Sequence, residues 1–230
     1  MSSTHQTAEE ARAEQVQVMG EQLGTLYHAL WQEVVWLHAK WGEFVSLFGT
    51  KPSRIELLNK AAPGFFRIVQ DMMWEDILLH IARLTDPPRT GGKTNLSIQS
   101  LSESVGNPAT RNSVEGLAAK ALTASDFCRD WRNRRIAHRD LALALEHGAK
   151  PLKEGSRRKA REAIDAISAV LNAVSDHYQG STTAFQFSEA RGGAMSLLYV
   201  LDDGVKAELA RRERRKSGHY DPGDSGPRNL

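Results

Sequence analysis

The sequence contains very little cysteine, with Cys128 as the only one among 230 residues. A lone cysteine cannot form an intrachain disulfide or a cysteine metal cluster, and this is typical of proteins from a reducing compartment. Long apolar runs are also missing. No stretch approaches the ~18 residues of a membrane span, and the first residues lack the basic and apolar regions of a secretion signal. The sequence therefore predicts a cytoplasmic protein with no membrane partner.

The chain has almost no excess of one charge. Its Lys and Arg residues number 30 and its Asp and Glu residues 28, which gives a formal charge of +2. No global field therefore indicates nucleic-acid binding, and any basic surface must be local. One such place is residues 126–140, with five arginines and three aspartates. The length suits a single domain, and we expect a helical domain over residues 1–209 followed by a basic, disordered tail over 210–230.

Strand patterns are lacking as well, and apolar residues instead recur at helical spacing. The first stripe runs without interruption over residues 16–48 and predicts one long helix. Thr7 with Glu10 forms a capping-box pattern before it, and Gly49 is placed to end it.

The same spacing predicts further helices downstream. Ser53 and Glu56 repeat the capping-box pattern before a short helix, which Pro63 and Gly64 should interrupt. A loop is predicted over residues 85–96, and the remaining stripes fall within 66–84, 97–105, 113–138, 160–174 and 198–209. The sequence therefore predicts an all-α fold.

The motif segment, residues 128–140, is where side chains suited to catalysis concentrate. Arg132 could clamp a phosphate bidentately and offset the charge of its transition state. His138 could exchange a proton with a ribose 2′-OH or a leaving 5′-oxygen, and Asn133 could hold either group in place. Phosphodiester cleavage by these groups would use the ribose 2′-hydroxyl of the substrate as the nucleophile. It would therefore require RNA, leave a 2′,3′-cyclic phosphate and need no metal or cofactor.

Helix geometry limits how these residues can act together. In a regular helix Arg132 and His138 would lie ~120° apart around the axis and ~9 Å along it. They could share a site if the helix ends or kinks near Ile136 and Ala137, or if two copies face each other across a two-fold axis. His138 also continues an apolar stripe, so it is open to interpretation as a hydrogen-bonded core or interface residue, with the arginines merely complementing a helix dipole.

The chain resembles the abortive-infection type-U (AbiU2-like) branch of the HEPN superfamily across most of residues 20–180. The spacing of Arg132, Asn133 and His138 is the HEPN ribonuclease signature. The other matching features, in order, are Trp31, Leu47-Phe-Gly, Ser53-Arg-Ile-Glu-Leu-Leu-Asn, Phe65-Phe, Ile81-Ala-Arg-Leu-Thr-Asp-Pro, Asn95-Leu-Ser and Arg135-Ile-Ala-His-Arg-Asp.

The resemblance implies an HEPN-type bundle of long antiparallel helices, a homodimer, and a role in antiphage abortive infection or a toxin–antitoxin system. Ribonucleolytic members build a composite site from two motifs, which here implies Arg132, Asn133 and His138 as catalytic residues. An antitoxin or another defence protein would be a further partner. The arginines that could hold RNA phosphates are Arg129, Arg134, Arg135 and Arg139.

Two other interpretations remain open. A catalytically silent HEPN dimer could bind RNA, a nucleotide or a partner protein through Arg129, Arg132 and Arg139. A purely structural dimer could bury His138. Arg83 and Asp86 are interpreted as an ion pair that fastens a helix end to its loop rather than as catalytic residues.

No metal site is predicted, because the candidate histidines fall on separate predicted helices without paired ligand spacing. These are His28, His38, His80 and His177. Trp36, Trp41 and Trp74 are interpreted as core or interface aromatics rather than base-stacking platforms. Residues 91–94 resemble part of a phosphate-binding loop, but the first glycine of that motif would fall at Pro87.

Overall fold

A computed structural model describes residues 7–138, 140–145, 148–185, 192–219 and 221. Apart from one two-residue ribbon, the regular structure is helical, which confirms the predicted all-α class. The chain forms two compact units. The first comprises the described residues within Met1–Trp41 and Met73–Phe187, and the second those within Gly42–Met72 and Ser188–Leu230.

The α-helices of the described residues are α1 (Ala8–Met19), α2 (Glu21–Phe48), α3 (Pro52–Ala61), α4 (Pro63–Leu84), α5 (Leu101–Ser104), α6 (Pro108–Ala124), α7 (Asp126–Trp131), α8 (Leu141–Ala144), α9 (Arg157–Gln179) and α10 (Ala194–Lys216). A 3₁₀ turn at Ile98–Ser100 precedes α5, and a π turn at Arg132–Ile136 follows α7. The strands are β1 (Arg89–Thr90) and β2 (Lys93–Thr94).

The predicted long first helix is wrong in one respect, because Gly20 divides it into α1 and α2. Gly20 has φ 84° and ψ 161°, a conformation that favours glycine. The capping box at Thr7 is confirmed, since the Glu10 amide donates to Thr7 Oγ1 at 3.2 Å. Beyond the break, Gly24 packs so closely on α1 that a Cβ there would lie 2.6 Å from Val16 Cα. The absence of a side chain at Gly24 thus allows the two helices to touch.

The core of the first unit forms where α6 packs on α9. Small residues on α6, Ala118 and Ala121, are buried and allow the close approach. The apolar stripe of α9 is buried along its length, at Ala160, Ala163, Ile164, Ile167, Val170, Leu171 and Val174.

A continuous helix over 113–138 is also wrong, because Ser125 ends α6 before α7 begins. Ser125 has φ −90° and ψ 0° and is fully buried. Its Oγ lies 3.0 Å from Thr85 Oγ1, in the segment that follows α4. Each hydroxyl has other local acceptors, and Thr85 Oγ1 donates to Ile81 O at 2.9 Å. The polar pair fixes the break and places α7 against the end of α4.

The predicted loop over residues 85–96 contains a short hairpin that the sequence analysis did not identify. Its two strands pair antiparallel in the register Arg89 to Thr94 and Thr90 to Lys93. Gly91 and Gly92 both have positive φ, 56° and 79°, as a tight hairpin turn requires. With two residues in each strand, the hairpin is too short to show alternating polarity.

In the second unit α3 packs on α10, and the ends of these helices depart from the sequence prediction. The capping box at Ser53 and Glu56 is wrong: Lys51 is the N-cap without a side-chain hydrogen bond, and Pro52 occupies the first turn. Pro63 begins α4, so the predicted interruption there is confirmed. Helix α10 continues to Lys216, beyond the start of the predicted tail, and residues 222–230 lie outside the described part.

Candidate functional site

The motif segment leaves regular helical geometry at Arg132. The turn Arg132–Ile136 is a π turn, in which the Ala137 amide donates to Arg132 O, five residues earlier, at 2.8 Å. Single π turns occur frequently at functional sites. The helical conformation ends after Ile136, which is the first of the two arrangements that the sequence allowed. His138 therefore lies beyond the helix, and the 120° separation of a regular helix does not apply.

Arg132 is held at two of its nitrogens by side chains of the first unit. Its Nη1 forms an ion pair with Asp86 Oδ1, and its Nε donates to Asn133 Oδ1 at 3.0 Å. The side chains of Arg132 and Asp86 are 23% and 19% exposed, so the pair is shielded but reachable from solvent. The expected ion pair between Arg83 and Asp86 is wrong, because Asp86 pairs with Arg132 and the Arg83 side chain is exposed.

Asp86 is held in place through its backbone. Its carbonyl oxygen accepts hydrogen bonds from Ser97 Oγ at 2.5 Å and from Gln99 Nε2 at 2.9 Å. Both donors precede α5, so they tie the loop after α4 to the next helix. Asp86 can therefore orient Arg132 from a fixed position, a role that the sequence analysis did not assign to it.

His138 is exposed at the end of the π turn. Within the described part of the chain its side chain makes no hydrogen bond or ion pair. The interpretation of His138 as a core residue of the single chain is therefore wrong. Its imidazole is open to a substrate or to a second copy of the protein.

Arg129 is used within the protein. Its Nη2 donates to Leu122 O at 2.7 Å, and its Nη1 lies 3.3 Å from Ser125 Oγ and 3.4 Å from Thr85 Oγ1. These contacts join α7 to the break after α6 and to the end of α4. They give Arg129 a structural role in positioning the motif segment.

Arg134 attaches the connector before α9 to the motif segment. Its Nη2 donates to Lys150 O, and its guanidinium lies 3.6 Å from Asp130 and 3.8 Å from Asp140. The Lys153 amide donates to Asp130 Oδ2 at 2.8 Å, which adds a second attachment. The connector is therefore bound along the same side of α7.

The guanidinium of Arg135 lies over an aromatic ring. Its guanidinium carbon is 5.3 Å from the centroid of the Trp131 ring, and its Nε donates to Glu75 Oε1 at 2.9 Å. Arg139, the remaining predicted phosphate ligand, lies outside the described residues.

The site is less basic than its arginine content indicates. Each described arginine of the motif segment has a carboxylate neighbour within 4 Å: Asp126, Asp86, Asp130 with Asp140, and Glu75. Charges compensated in this way attract a polyanion less strongly than free cations do. Recognition of a phosphate would therefore depend on where the donors point rather than on a strong field.

Three histidines of the first unit and the thiol of Cys128 are buried. Burial lowers the pKa of His28 and of His80, and it lowers the pKa of His38 to about 4. Burial also raises the pKa of the Cys128 thiol. The histidine ring nitrogens face Gln15, Glu33 and Ser168, respectively, each at 2.8 Å. These histidines are integrated into the core as polar contacts between helices.

The described residues contain no group of three or more His, Cys, Asp or Glu side chains arranged to hold a metal ion. No helix among them is long and apolar enough to cross a membrane.

A comparison with known protein families gave a match. An HEPN family model with the description AbiU2 matches residues 20–195, which is more than half of the chain and includes the whole motif segment. No curated protein and no solved structure matches the sequence.

Proposed function

The chain belongs to the AbiU2 family of HEPN proteins, and on that premise we propose that it is a metal-independent endoribonuclease. It acts as a toxin-like effector of antiphage defence, by abortive infection or within a toxin–antitoxin system. The observation that carries the proposal is the π turn, which holds an oriented Arg132 at its start and is followed by the exposed His138.

Arg132 supplies the electrophilic group. Asp86 and Asn133 occupy its Nη1 and Nε, while Nη2 makes no hydrogen bond to the described residues. Its protons are therefore available to a phosphate oxygen, and the two fixed nitrogens set the plane of the guanidinium in advance. Asp86 acts as a positioning residue.

His138 supplies the proton transfer. The ribose 2′-oxygen attacks the phosphorus, the bond from phosphorus to the 5′-oxygen breaks, and a 2′,3′-cyclic phosphate forms. The 2′-OH proton passes to an imidazole, and the departing 5′-oxygen takes a proton from a second acid. In a homodimer that places two motifs in one groove, His138 of each copy fills one of these roles.

The proposed setting is the cytoplasm, with RNA as the substrate and an antitoxin or another defence protein as a controlling partner. Arg132, Asn133 and His138 carry the chemistry. The RNA backbone is held by the remaining arginines of the motif segment where their protein contacts permit, including Arg139.

The test is cleavage of total RNA in excess EDTA by the wild-type protein and by two variants. His138→Ala removes the proton acceptor, and Arg132→Lys replaces the planar fork with a point charge. Each variant should lose about 10²-fold or more in cleavage rate with an unchanged circular dichroism spectrum. The proposal would be contradicted if the RNA stays intact with the wild-type protein, or if His138→Ala cleaves it at the wild-type rate.

One observation favours a catalytically silent module that binds RNA, a nucleotide or a partner protein. The described arginines of the motif segment are all engaged with protein acceptors, as a structural cluster would be. Under that alternative, Asp86→Asn frees a cation and strengthens anion binding, and no variant cleaves RNA.

A further inference from the structure

We propose that Trp131 and Arg135 form a nucleobase subsite beside the proposed cleavage site. The subsite rests on the proposed function in one respect only, namely that single-stranded RNA is the ligand. It assigns Arg135 to a base instead of the phosphate contact that the sequence analysis expected.

The first observation is the rigidity of the pair. Trp131 Nε1 donates to Lys153 O at 2.8 Å, and the Trp74 and Trp131 rings pack at right angles, with centroids 6.4 Å apart and planes at 86°. Glu75 fixes Arg135 from the side at 2.9 Å. A ring held at its nitrogen and by a perpendicular neighbouring ring, with a guanidinium over its face, needs little ordering when a ligand binds.

The second observation is the charge. Glu75 compensates the guanidinium of Arg135, as Asp86 compensates that of Arg132, so the net charge of the pair does not favour a phosphate over a base. A base does not depend on net charge, because bases stack on aromatic rings and on the plane of arginine. The Arg135 side chain is 50% exposed, which leaves room for a stacked base on its outer side.

The third observation is the position of the pair in the motif. Arg135 and Arg132 lie in the same π turn, three residues apart, so less than one turn of the backbone separates them. A nucleotide whose phosphate contacts Arg132 therefore has a neighbouring base within reach of Arg135. The subsite would bind any base by stacking and would not distinguish one base from another by hydrogen bonds.

The experiment measures binding of a 2′-O-methyl RNA oligonucleotide, which cannot undergo the proposed reaction. It also measures binding of a series of the same oligonucleotide in which a single abasic nucleotide is moved along the sequence, one position in each member. The proteins are wild type, Arg135→Gln, Arg135→Lys and a control, Arg158→Gln. Arg158 is also an ion-paired arginine of the first unit, but its side chain is 80% exposed on α9. Fluorescence anisotropy at several salt concentrations gives Kd and its salt slope.

We expect one abasic position to weaken wild-type binding by about 5-fold or more, since a stacked base contributes about 1–3 kcal/mol. Both Arg135 variants should bind intact RNA about as weakly as the wild type binds the abasic RNA. Each variant should bind intact and abasic RNA with equal affinity. Their salt slope should match that of wild type, and Arg158→Gln should behave as wild type.

Three results would overturn the subsite. Arg135→Gln could weaken the binding of intact and of abasic RNA by the same factor and have a shallower salt slope than the wild type, which would indicate a phosphate contact. Wild type could bind every abasic oligonucleotide as tightly as intact RNA. Wild type could also fail to bind RNA at all, which would refute the proposed function together with the subsite. Base-dependent binding without cleavage of ordinary RNA would refute only the nuclease.

Discussion

The close contact between α1 and α2 predicts that adding one methyl group at Gly24 lowers the free energy of unfolding. In Gly24→Ala the new Cβ would lie 2.6 Å from Val16 Cα and 2.7 Å from Gln15 O. Both atoms belong to the backbone, so no side-chain rotation relieves the clash, and normal carbon contacts require about 3.5–4.0 Å. Helix α1 must therefore move by about 1 Å, which strains the buried hydrogen bond between Gln15 and His28.

The matched control is Gly42→Ala in the same helix, where an added Cβ meets nothing within 4 Å. That variant gains helix propensity of about 1 kcal/mol. In Gly24→Ala the same gain is outweighed by overpacking of about 1–3 kcal/mol and by loss of a hydrogen bond of about 1 kcal/mol. The free energy of unfolding should fall by about 1–3 kcal/mol in Gly24→Ala and rise by up to about 1 kcal/mol in Gly42→Ala.

Urea denaturation followed by circular dichroism gives both free energies, and hydrogen exchange should show faster exchange in α1 of Gly24→Ala only. The Tm values should move in opposite directions, by about 2–4 °C for each kcal/mol. If Gly24→Ala is as stable as Gly42→Ala, the close approach of α1 and α2 is wrong.

Three further predictions concern polar contacts. Arg129→Met should reduce the free energy of unfolding in urea by about 1–3 kcal/mol, because its buried acceptors lose their donor; an unchanged value would contradict its structural role. Asp86→Asn should lower kcat for RNA cleavage by about 10²-fold with less change in KM, since Arg132 loses its orientation; unchanged kcat would exclude positioning. Burial lowers the pKa of His38 to about 4, below an unfolded value of ~6.5, so stability present above pH 6.5 is lost as pH falls towards 4. Between pH 7 and pH 5, the free energy of unfolding from urea titrations should therefore fall by about 2 kcal/mol less in His38→Gln than in the wild type. An equal fall in both proteins would refute this.

The helices could be predicted because apolar spacing is a property of many residues at once. The breaks at Gly20 and Ser125 could not, because each interrupts a stripe that continues in phase on both sides. The conformation at Ser125 depends on Thr85, a hydroxyl 40 residues earlier in the chain. Spacing within one segment contains no information about such a partner.

The candidate site shows the same division. Arg132, Asn133 and His138 were identified because they lie close together in sequence. Asp86 was noted but given the wrong partner, since its ion pair with Arg132 spans 46 residues. Neither the position of Arg135 over Trp131 nor its pair with Glu75, 60 residues away, is visible in the sequence.

The π turn could not be predicted either. It differs from an α-helix by a hydrogen bond that spans five residues instead of four, and the side chains of Arg132–Ile136 fit both conformations. Its effect on the position of His138 is nevertheless large. The turn ends the helix before His138, so that the imidazole lies outside the helical segment that carries Arg132.

The central claim is that the motif segment cleaves RNA through the ribose 2′-hydroxyl. The most direct measurement uses an oligonucleotide with one mapped cleavage position, in excess EDTA, beside the same oligonucleotide with 2′-deoxyribose at that position alone. The account predicts cleavage of the first to a 2′,3′-cyclic phosphate end, no cleavage of the second at that position, and loss of the product in His138→Ala. Cleavage of the deoxy-substituted oligonucleotide at the same position, or product formation by His138→Ala at the wild-type rate, would contradict it.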